Sequence, residues 1–188
     1  MTTKTYTPEI ALQVTKQVYS DLYKAKPRNV EGINESIVAG GAIRDIIFNK
    51  PIKDIDIFIP THCVMHKWKA QNPLHTLYKM GFRRKGGDEY DDEDFETYES
   101  LSYDMPVQLI KSKFSTPKQI LLDFPVSISR VYWSPADNKI HKSEGFKKSQ
   151  RTKEIFINHN GPDTRAYKYG IRLTEKYNGK DGWVWRKI

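Results

Sequence analysis

The stretch 36–60, SIVAGGAIRDIIFNKPIKDIDIFIP, decides the fold of this chain. It begins with the short apolar run 37–39, which predicts a strand that ends at the glycine pair Gly40-Gly41. Residues 42–49 then place isoleucines on one side of a predicted helix, and a Lys-Pro pair ends it. The segment therefore predicts a strand, a glycine turn and a helix in immediate succession.

The second half of this stretch carries two carboxylates on a predicted strand. Residues 54–59, DIDIFI, alternate so that Asp54 and Asp56 point to one face of the strand and the isoleucines to the other. Two neighbouring carboxylates on an apolar strand repel each other and lose hydration unless a cation joins them. Mg²⁺ suits such a pair, because it binds one or two carboxylates together with substrate phosphates.

The glycine turn predicts a phosphate site beside those carboxylates. Glycine lets the backbone approach a ligand closely, and unpaired N–H groups at the start of a helix favour phosphate. Arg44, in the first turn of the predicted helix, is expected to add a charge-assisted contact to the same phosphates. One segment thus predicts a phosphate cradle and a metal-binding carboxylate pair.

GGAIRD followed by DIDIF resembles the signature of the DNA polymerase β-type nucleotidyltransferase superfamily. The pattern is closest to the Gly-Gly-x-x-Arg-Asp and Asp-x-Asp motifs of tRNA CCA-adding enzymes and bacterial poly(A) polymerases. The resemblance is strong over residues 33–60 and holds in outline over 61–133. It implies that Asp54 and Asp56 are catalytic and bind Mg²⁺ or Mn²⁺. It also implies that an NTP is bound by three residues, Gly40, Gly41 and Arg44.

Each half of the motif has a simpler interpretation when taken alone. The glycine pair is also compatible with an ordinary tight turn, and the two aspartates with a solvated strand face. Many members of the superfamily add a third carboxylate from a neighbouring strand, and the aligned position here is Gln108. An amide offers an oxygen without the charge, so the possible third ligands are Gln108 and, four residues earlier, Asp104.

The composition indicates a cytoplasmic protein. The single cysteine, Cys63, excludes an internal disulfide and fits a reducing compartment. No apolar run approaches the roughly 20 residues that span a bilayer, so no membrane partner is expected. The N-terminus also lacks the apolar core of a signal peptide. Nothing in the sequence predicts the oligomeric state.

Positive charge is concentrated near the C-terminus. Residues 139–188 contain thirteen Lys or Arg against five Asp or Glu, whereas the rest of the chain is balanced. Basic residues interleaved with aromatics, such as Tyr167, Trp183 and Trp185, are typical of surfaces that bind a single strand or an RNA end. The predicted RNA-binding residues are Lys147, Lys148, Arg151, Lys153, Arg165, Lys168 and Arg172. The alternative is a solvated basic face beside ordinary core aromatics.

The order of predicted elements favours an α+β fold, with helices packed on one face of a mixed β-sheet, as in the polymerase β-like nucleotidyltransferase fold. A first domain is expected over 1–135, and 136–188 is expected to be a basic extension with one helix, over 162–177. An amphipathic helix is predicted from Pro8, with the apolar stripe Ile10, Val14, Val18 and Leu22. The acidic block 88–99 is expected to be a solvated loop, with metal binding as the alternative.

Three functions fit these patterns. The first is metal-dependent transfer of a nucleotide from an NTP to an RNA end, with tRNA as the model acceptor. The second is nucleotidyl transfer to a protein or small molecule. The third is an inactive module of the same fold that binds nucleotide or RNA. The basic extension favours RNA, whereas Gln108 and the short chain favour the inactive module.

Overall fold

The computed structural model describes residues 4–24, 35–60, 77–84, 96–157, 165–177 and 182–187. In chain order the helices and strands are α1 (Pro8–Lys24), β1 (Ile37–Ala39), α2 (Gly41–Ile47), β2 (Ile55–Ile59), β3 (Phe82–Arg84), β4 (Glu96–Ser100), β5 (Val107–Lys111), α3 (Pro117–Asp123), β6 (Val131–Ser134), β7 (Lys139–Lys142), α4 (Glu144–Thr152), β8 (Glu154–Ile157), α5 (Arg165–Tyr177) and β9 (Val184–Lys187).

A mixed sheet organises the described part of the chain. Its strand order is β3-β4-β5-β2-β1-β6-β7, with β2 and β5 parallel and the other neighbours antiparallel. A separate parallel pair is formed by β8 and β9. The predicted α+β class with a mixed sheet is therefore confirmed. Among the described helices, none has the length and hydrophobicity that crossing a membrane requires.

The main hydrophobic core lies on one face of the sheet. The alternation of β2 puts Ile55, Ile57 and Ile59 into this core, and α1 packs there as predicted. The stripe on α1 is shifted from the predicted one, because Ile10 is 36% exposed whereas Ala11 is fully buried. The buried face of the helix follows positions 11, 14, 15, 18, 19 and 22, so Ile10 lies at its edge.

The opposite face of the sheet is only partly covered. Helix α3 packs Ile120 and Leu121 against Ile37, Ala39 and Phe58, which form a second, smaller core. Thr116 caps this helix by accepting a hydrogen bond from the backbone N–H three residues on. The covering helix contacts the apolar part of this face, and the polar side chains of β2, β5 and β4 occupy the rest of it.

The C-terminal part contains more structure than predicted. The expectation of one helix after residue 135 is wrong, because α4 precedes α5. The sequence of α4, EGFKKSQRT, contains a single large apolar residue, Phe146, so it lacks the repeated pattern that marks an amphipathic helix. Phe146, Ile155 and Leu173 belong to the same core as the main sheet. The division at residue 135 stays a prediction.

A glycine sets the distance between α5 and β8. A Cβ built on Gly170 would lie 2.0 Å from Cδ1 and 2.6 Å from Cγ1 of Ile157, which is fully buried. Any larger residue would therefore push the helix away from the strand. Helix α5 tolerates the low helix propensity of glycine because this close packing requires it.

Candidate functional site

The glycine turn lies at the end of β1 and opens α2. Gly40 has φ +76° and ψ −125°, a conformation that is accessible essentially to glycine alone. Its N–H donates to the carbonyl of Val131 at 3.0 Å, and a Cβ on Gly40 would lie 3.2 Å from the ring of Phe124. A Cβ on Gly41, in contrast, would meet only Arg44 Nη2 at 3.6 Å within the described residues. Gly40 is thus required by the fold, whereas the space at position 41 does not itself require glycine, and phosphate binding at Gly41 stays a prediction.

The two aspartates lie beside this turn. Strand β1 runs antiparallel to β2 and pairs Val38 with Ile57, so the end of β1 leads towards the beginning of β2. Asp54 directly precedes β2, Asp56 lies in it, and both are half-buried. Lys53 Nζ lies 3.8 Å from Asp54 Oδ2 and is exposed to solvent. The structure therefore brings together the glycine pair and the carboxylate pair that the motif predicted.

The predicted third ligand lies next to Asp56. Gln108 of β5 pairs with Asp56 in the parallel register, and Val107 and Leu109 on either side of it face the main core. Gln108 and Asp56 therefore share the partly covered face of the sheet. Glu99 of β4 pairs in turn with Gln108, and Gln108 Nε2 donates a long hydrogen bond of 3.4 Å to Glu99 Oε1.

Glu99 is a polar residue beside Gln108 that the sequence pattern did not single out as part of the site. The acidic block 88–99 was expected to be a loop, but residues 96–99 belong to β4, so the expectation is wrong there. Residues 88–95 lie outside the described part of the chain. The alternation of Thr97, Tyr98 and Glu99 was the available signal, since Tyr98 faces the core and its neighbours do not.

Asp104, the other predicted third ligand, lies in a different environment. It is exposed and lines a cleft of about 660 Å³ together with Gln17 and Asp21 of α1 and Tyr103. Burial, together with the nearby Asp21, raises the pKa of Tyr103 to about 12. This cleft lies on the α1 side of the sheet, whereas Asp56 faces the other side.

The donor set at Asp54 and Asp56 fits a divalent cation. Two carboxylates, with one amide oxygen beside them and a backbone that admits phosphates, match the preference of Mg²⁺ for few protein ligands plus phosphate oxygens. Within the described residues, no group of three or more His, Cys, Asp or Glu side chains is arranged to hold a metal. Water molecules or the phosphates of a nucleotide would supply the rest of the ligands of a cation at this site.

Arg44 takes part in a buried network on the main-core side of the sheet. Its side chain is 4% exposed and donates to Asp45 (Nε to Oδ1, 2.9 Å), to Tyr169 Oη and to Tyr177 Oη. It also donates to the hydroxyl of Ser129 at 3.1 Å. All three guanidinium nitrogens therefore contact protein acceptors, and contact of Arg44 with a nucleotide stays a prediction.

Asp45 joins the same network to helix α5. It accepts hydrogen bonds from Lys176 Nζ at 2.6 Å and from the hydroxyl of Tyr177, in addition to those from Arg44. Burial would lower the pKa of Arg44, but its neighbours Tyr169, Asp45 and Tyr177 raise it above the ordinary value. Burial also raises the pKa of Tyr177. The Arg-Asp half of the motif thus holds the C-terminal helix as an ion pair.

The basic residues of the C-terminal part lie on the surface. The exposed cations of α4 and its end are Lys147, Lys148, Arg151 and Lys153, and those of α5 include Lys168 and Arg172. Lys147 pairs with Glu144 at 2.6 Å, and Lys148 Nζ lies 4.2 Å from the centre of the Phe156 ring. Arg165 begins α5, and its side chain lies outside the described part. RNA binding by these residues stays a prediction.

The aromatics of this region divide into core and surface. Trp183 is 4% exposed and packs edge-on against Phe48, so stacking of a base on Trp183 is excluded in this fold. Tyr167 and Trp185 form an edge-to-face pair with ring centroids 5.3 Å apart, and Trp185 is 36% exposed. Of these three aromatics, Trp185 is therefore the one that is exposed to solvent.

A comparison with protein families and curated proteins gives one match. The model of the Gabija anti-defense 2 family protein matches residues 11–153, which is more than half of the chain. No curated protein matches the chain.

Solved structures provide matches to the fold. A structure described as a tRNA-processing enzyme in an apo form is 13% identical with a TM-score of 0.59, and the match covers 93% of this chain and 44% of that one. A structure of a tRNA-processing enzyme with CTP is 13% identical with a TM-score of 0.51, and the match covers 80% of this chain and 40% of that one. A CCA-adding enzyme in an apo form is 14% identical with a TM-score of 0.51, and the match covers 77% of this chain and 33% of that one. The chain spans less than half the length of each.

Proposed function

The chain belongs to the Gabija anti-defense 2 family and has a nucleotidyltransferase-type fold, and from these two facts we propose that it is a metal-dependent nucleotidyltransferase. In this proposal an NTP is the donor, Mg²⁺ or Mn²⁺ is the cofactor, and the protein works in the cytoplasm. The observation that supports it best is the position of Asp54 and Asp56 beside the turn at Gly40 and Gly41.

The proposed chemistry joins a hydroxyl of the acceptor to the α-phosphate of the NTP. The hydroxyl gives up its proton to solvent and a new O–P bond forms at the α-phosphorus. The bond from the α-phosphorus to the oxygen that bridges to the β-phosphate breaks, and pyrophosphate leaves with the electron pair. Asp54 and Asp56 would hold the divalent cation, which when bound stabilises the charge on the attacking and leaving oxygens. In this proposal the triphosphate approaches the turn closely at Gly41, because glycine has no Cβ. The protein contributes position and charge rather than a covalent intermediate.

The proposed acceptor is an RNA end, with tRNA as the model. The exposed cations of α4 and α5 support it, because such surfaces bind phosphates and release counterions. Trp185, which is exposed beside Tyr167, adds aromatic surface on which an unpaired base can stack. The solved structures that match the fold are described as tRNA-processing and CCA-adding enzymes, which is compatible with this acceptor.

A second acceptor class is favoured by the family description. The family is named for action against a defence system, Gabija, and a transferase with that role would modify a component of that system. The acceptor would then be a protein side chain or a small molecule rather than an RNA end. The inactive binding module remains the third possibility, because position 108 carries an amide.

The test combines labelled nucleotides with separate acceptor pools. The protein is incubated with each α-³²P-labelled NTP, Mg²⁺ or Mn²⁺, and either total RNA or total protein from a cell extract. We expect label to enter the RNA pool and to be lost after ribonuclease treatment. Label in the protein pool supports the second acceptor class instead. The double variant Asp54→Asn/Asp56→Asn should abolish both transfer and metal-dependent nucleotide binding.

A matched control uses an acid outside the site. Asp123, exposed at the end of α3, is replaced by asparagine, and this variant should transfer label like the original protein. Absence of transfer with every nucleotide and pool, together with unchanged nucleotide binding in the Asp54/Asp56 double variant, would contradict the proposed function.

A further inference from the structure

Three polar side chains form a row across adjacent strands of the partly covered sheet face. Asp56 of β2 pairs with Gln108 of β5, and Gln108 pairs with Glu99 of β4. Paired residues on neighbouring strands project from the same face; the residues flanking Asp56 and Gln108, and Tyr98 before Glu99, belong to the main core. All three side chains are half-buried. Gln108 therefore lies between the carboxylates of Asp56 and Glu99.

The chemistry of these groups fixes the orientation of the amide. An ionised carboxylate only accepts hydrogen bonds, so the side of Gln108 that faces Glu99 must be its NH₂ group. The contact runs in this direction, from Gln108 Nε2 to Glu99 Oε1 at 3.4 Å. The amide oxygen is then left on the side of the row where Asp56 lies. Without Glu99, a flip about the last side-chain bond would turn the NH₂ group towards the site, where it would repel a cation.

We propose that Glu99 is a positioning residue, which orients Gln108 so that its Oε1 acts as the third oxygen beside Asp54 and Asp56. This inference rests on the proposed function, because it concerns the same cation site. It explains how a chain with an amide in place of a third carboxylate still offers a cation an oxygen. The acidic charge lies one strand further out, at Glu99 instead of at position 108, and acts through the amide.

The test reverses the polarity of the pair. Mn²⁺ alone is the probe, and its binding is measured by electron paramagnetic resonance on the full chain, without turnover. Glu99→Leu should weaken Mn²⁺ binding about tenfold, the lower end of what loss of an orienting partner costs a metal site. In the double variant Gln108→Glu/Glu99→Gln, the amide at 99 donates to a carboxylate at 108. This variant should bind Mn²⁺ at least as tightly as the original protein.

Control variants distinguish the positioning role of Glu99 from the cation site at Asp54 and Asp56 on which it depends. Glu175→Leu, which removes an exposed glutamate of α5, should leave Mn²⁺ binding unchanged. If Asp54→Asn/Asp56→Asn abolishes Mn²⁺ binding but Glu99→Leu does not weaken it, the role of Glu99 is overturned while the cation site stands. If the Asp54/Asp56 variant binds Mn²⁺ normally, the site itself is wrong.

Glu99→Gln and the reversed pair decide the remaining outcomes. Glu99→Gln keeps an oxygen that accepts from Gln108 Nε2 but removes the charge, so this variant should bind Mn²⁺ nearly as tightly as the original protein. Mn²⁺ binding as weak as in Glu99→Leu overturns orientation as the cause, because the charge of Glu99 would then explain the loss. If Glu99→Leu does not fold, the double variant still tests the inference, since it keeps both side-chain volumes. Mn²⁺ binding weaker than that of the original protein in this variant overturns the proposal.

Discussion

Replacing Asp45 by asparagine should destabilise the protein more than replacing any exposed acid. Asp45 is 4% exposed and accepts hydrogen bonds from Arg44, Lys176 and Tyr177. Asparagine keeps the shape of the side chain but removes the negative charge. Arg44 would then be left as a buried cation without a counter-charge, close to the ammonium group of Lys176.

Burial, rather than distance, determines the expected size of this effect. Removing one partner of a buried ion pair costs about 3–5 kcal/mol, because the other charge stays buried without compensation. The surface pair Lys147–Glu144 is shorter, at 2.6 Å against 2.9 Å for Arg44–Asp45, but its side chains are 56% and 89% exposed. Glu144→Gln should therefore cost about 0–1 kcal/mol. Ranking the two pairs by distance alone predicts the reverse order.

Urea denaturation followed by circular dichroism measures both variants. Since small proteins have a total stability of about 5–15 kcal/mol, Asp45→Asn should lower the midpoint strongly, and Glu144→Gln should leave it nearly unchanged. Tyr177→Phe, which removes one hydroxyl from the network, should fall between them, at about 1–3 kcal/mol. Equal free energies of unfolding for Asp45→Asn and Glu144→Gln would refute the reasoning.

Three further predictions concern the glycines and the basic surface. Gly170→Ala should lower the thermal midpoint, because its Cβ would lie 2.0 Å from Ile157 Cδ1; the control Gly145→Ala, whose Cβ would meet Ser127 at an ordinary 3.6 Å, should not lower it. Gly40→Ala should cost about 1–3 kcal/mol in urea denaturation, since its φ of +76° strains any other residue, and a stable variant would contradict that φ. Removing four basic side chains together should reduce the slope of log RNA affinity against log salt concentration by several units, at roughly 0.7 per phosphate contact, and should leave free-nucleotide binding unchanged. The four are Lys147, Lys148, Arg151 and Lys153. An unaltered slope would argue against RNA binding by this surface.

Local pattern predicted the centre of the fold but not its long-range contacts. The alternation around Asp56 determines which side chains enter the core, because a strand has a period of two and one register buries the isoleucines. The turn at Gly40 was equally readable, since a positive φ requires glycine. The sequence did not predict the direction of the Arg44 side chain, because its acceptors other than Asp45 lie 85 to 133 positions later in the chain. The role of Glu99 was not predictable for a different reason. A dense acidic block has the composition of a solvated loop, and only the pairing of its last residues with β5 shows that they form a strand.

The role of the Arg-Asp half of the GGAIRD segment affects how related sequences are compared. Arg44 and Asp45 hold helix α5 through Tyr177 and Lys176. Selection for a stable fold would preserve the Arg-Asp dipeptide even in a relative that had lost all chemistry. The two aspartates of the Asp-x-Asp strand are, in contrast, the residues to which the proposed cation site is assigned. Their persistence or loss, rather than that of the longer motif, would therefore distinguish relatives that remain enzymes from those that have become binding proteins.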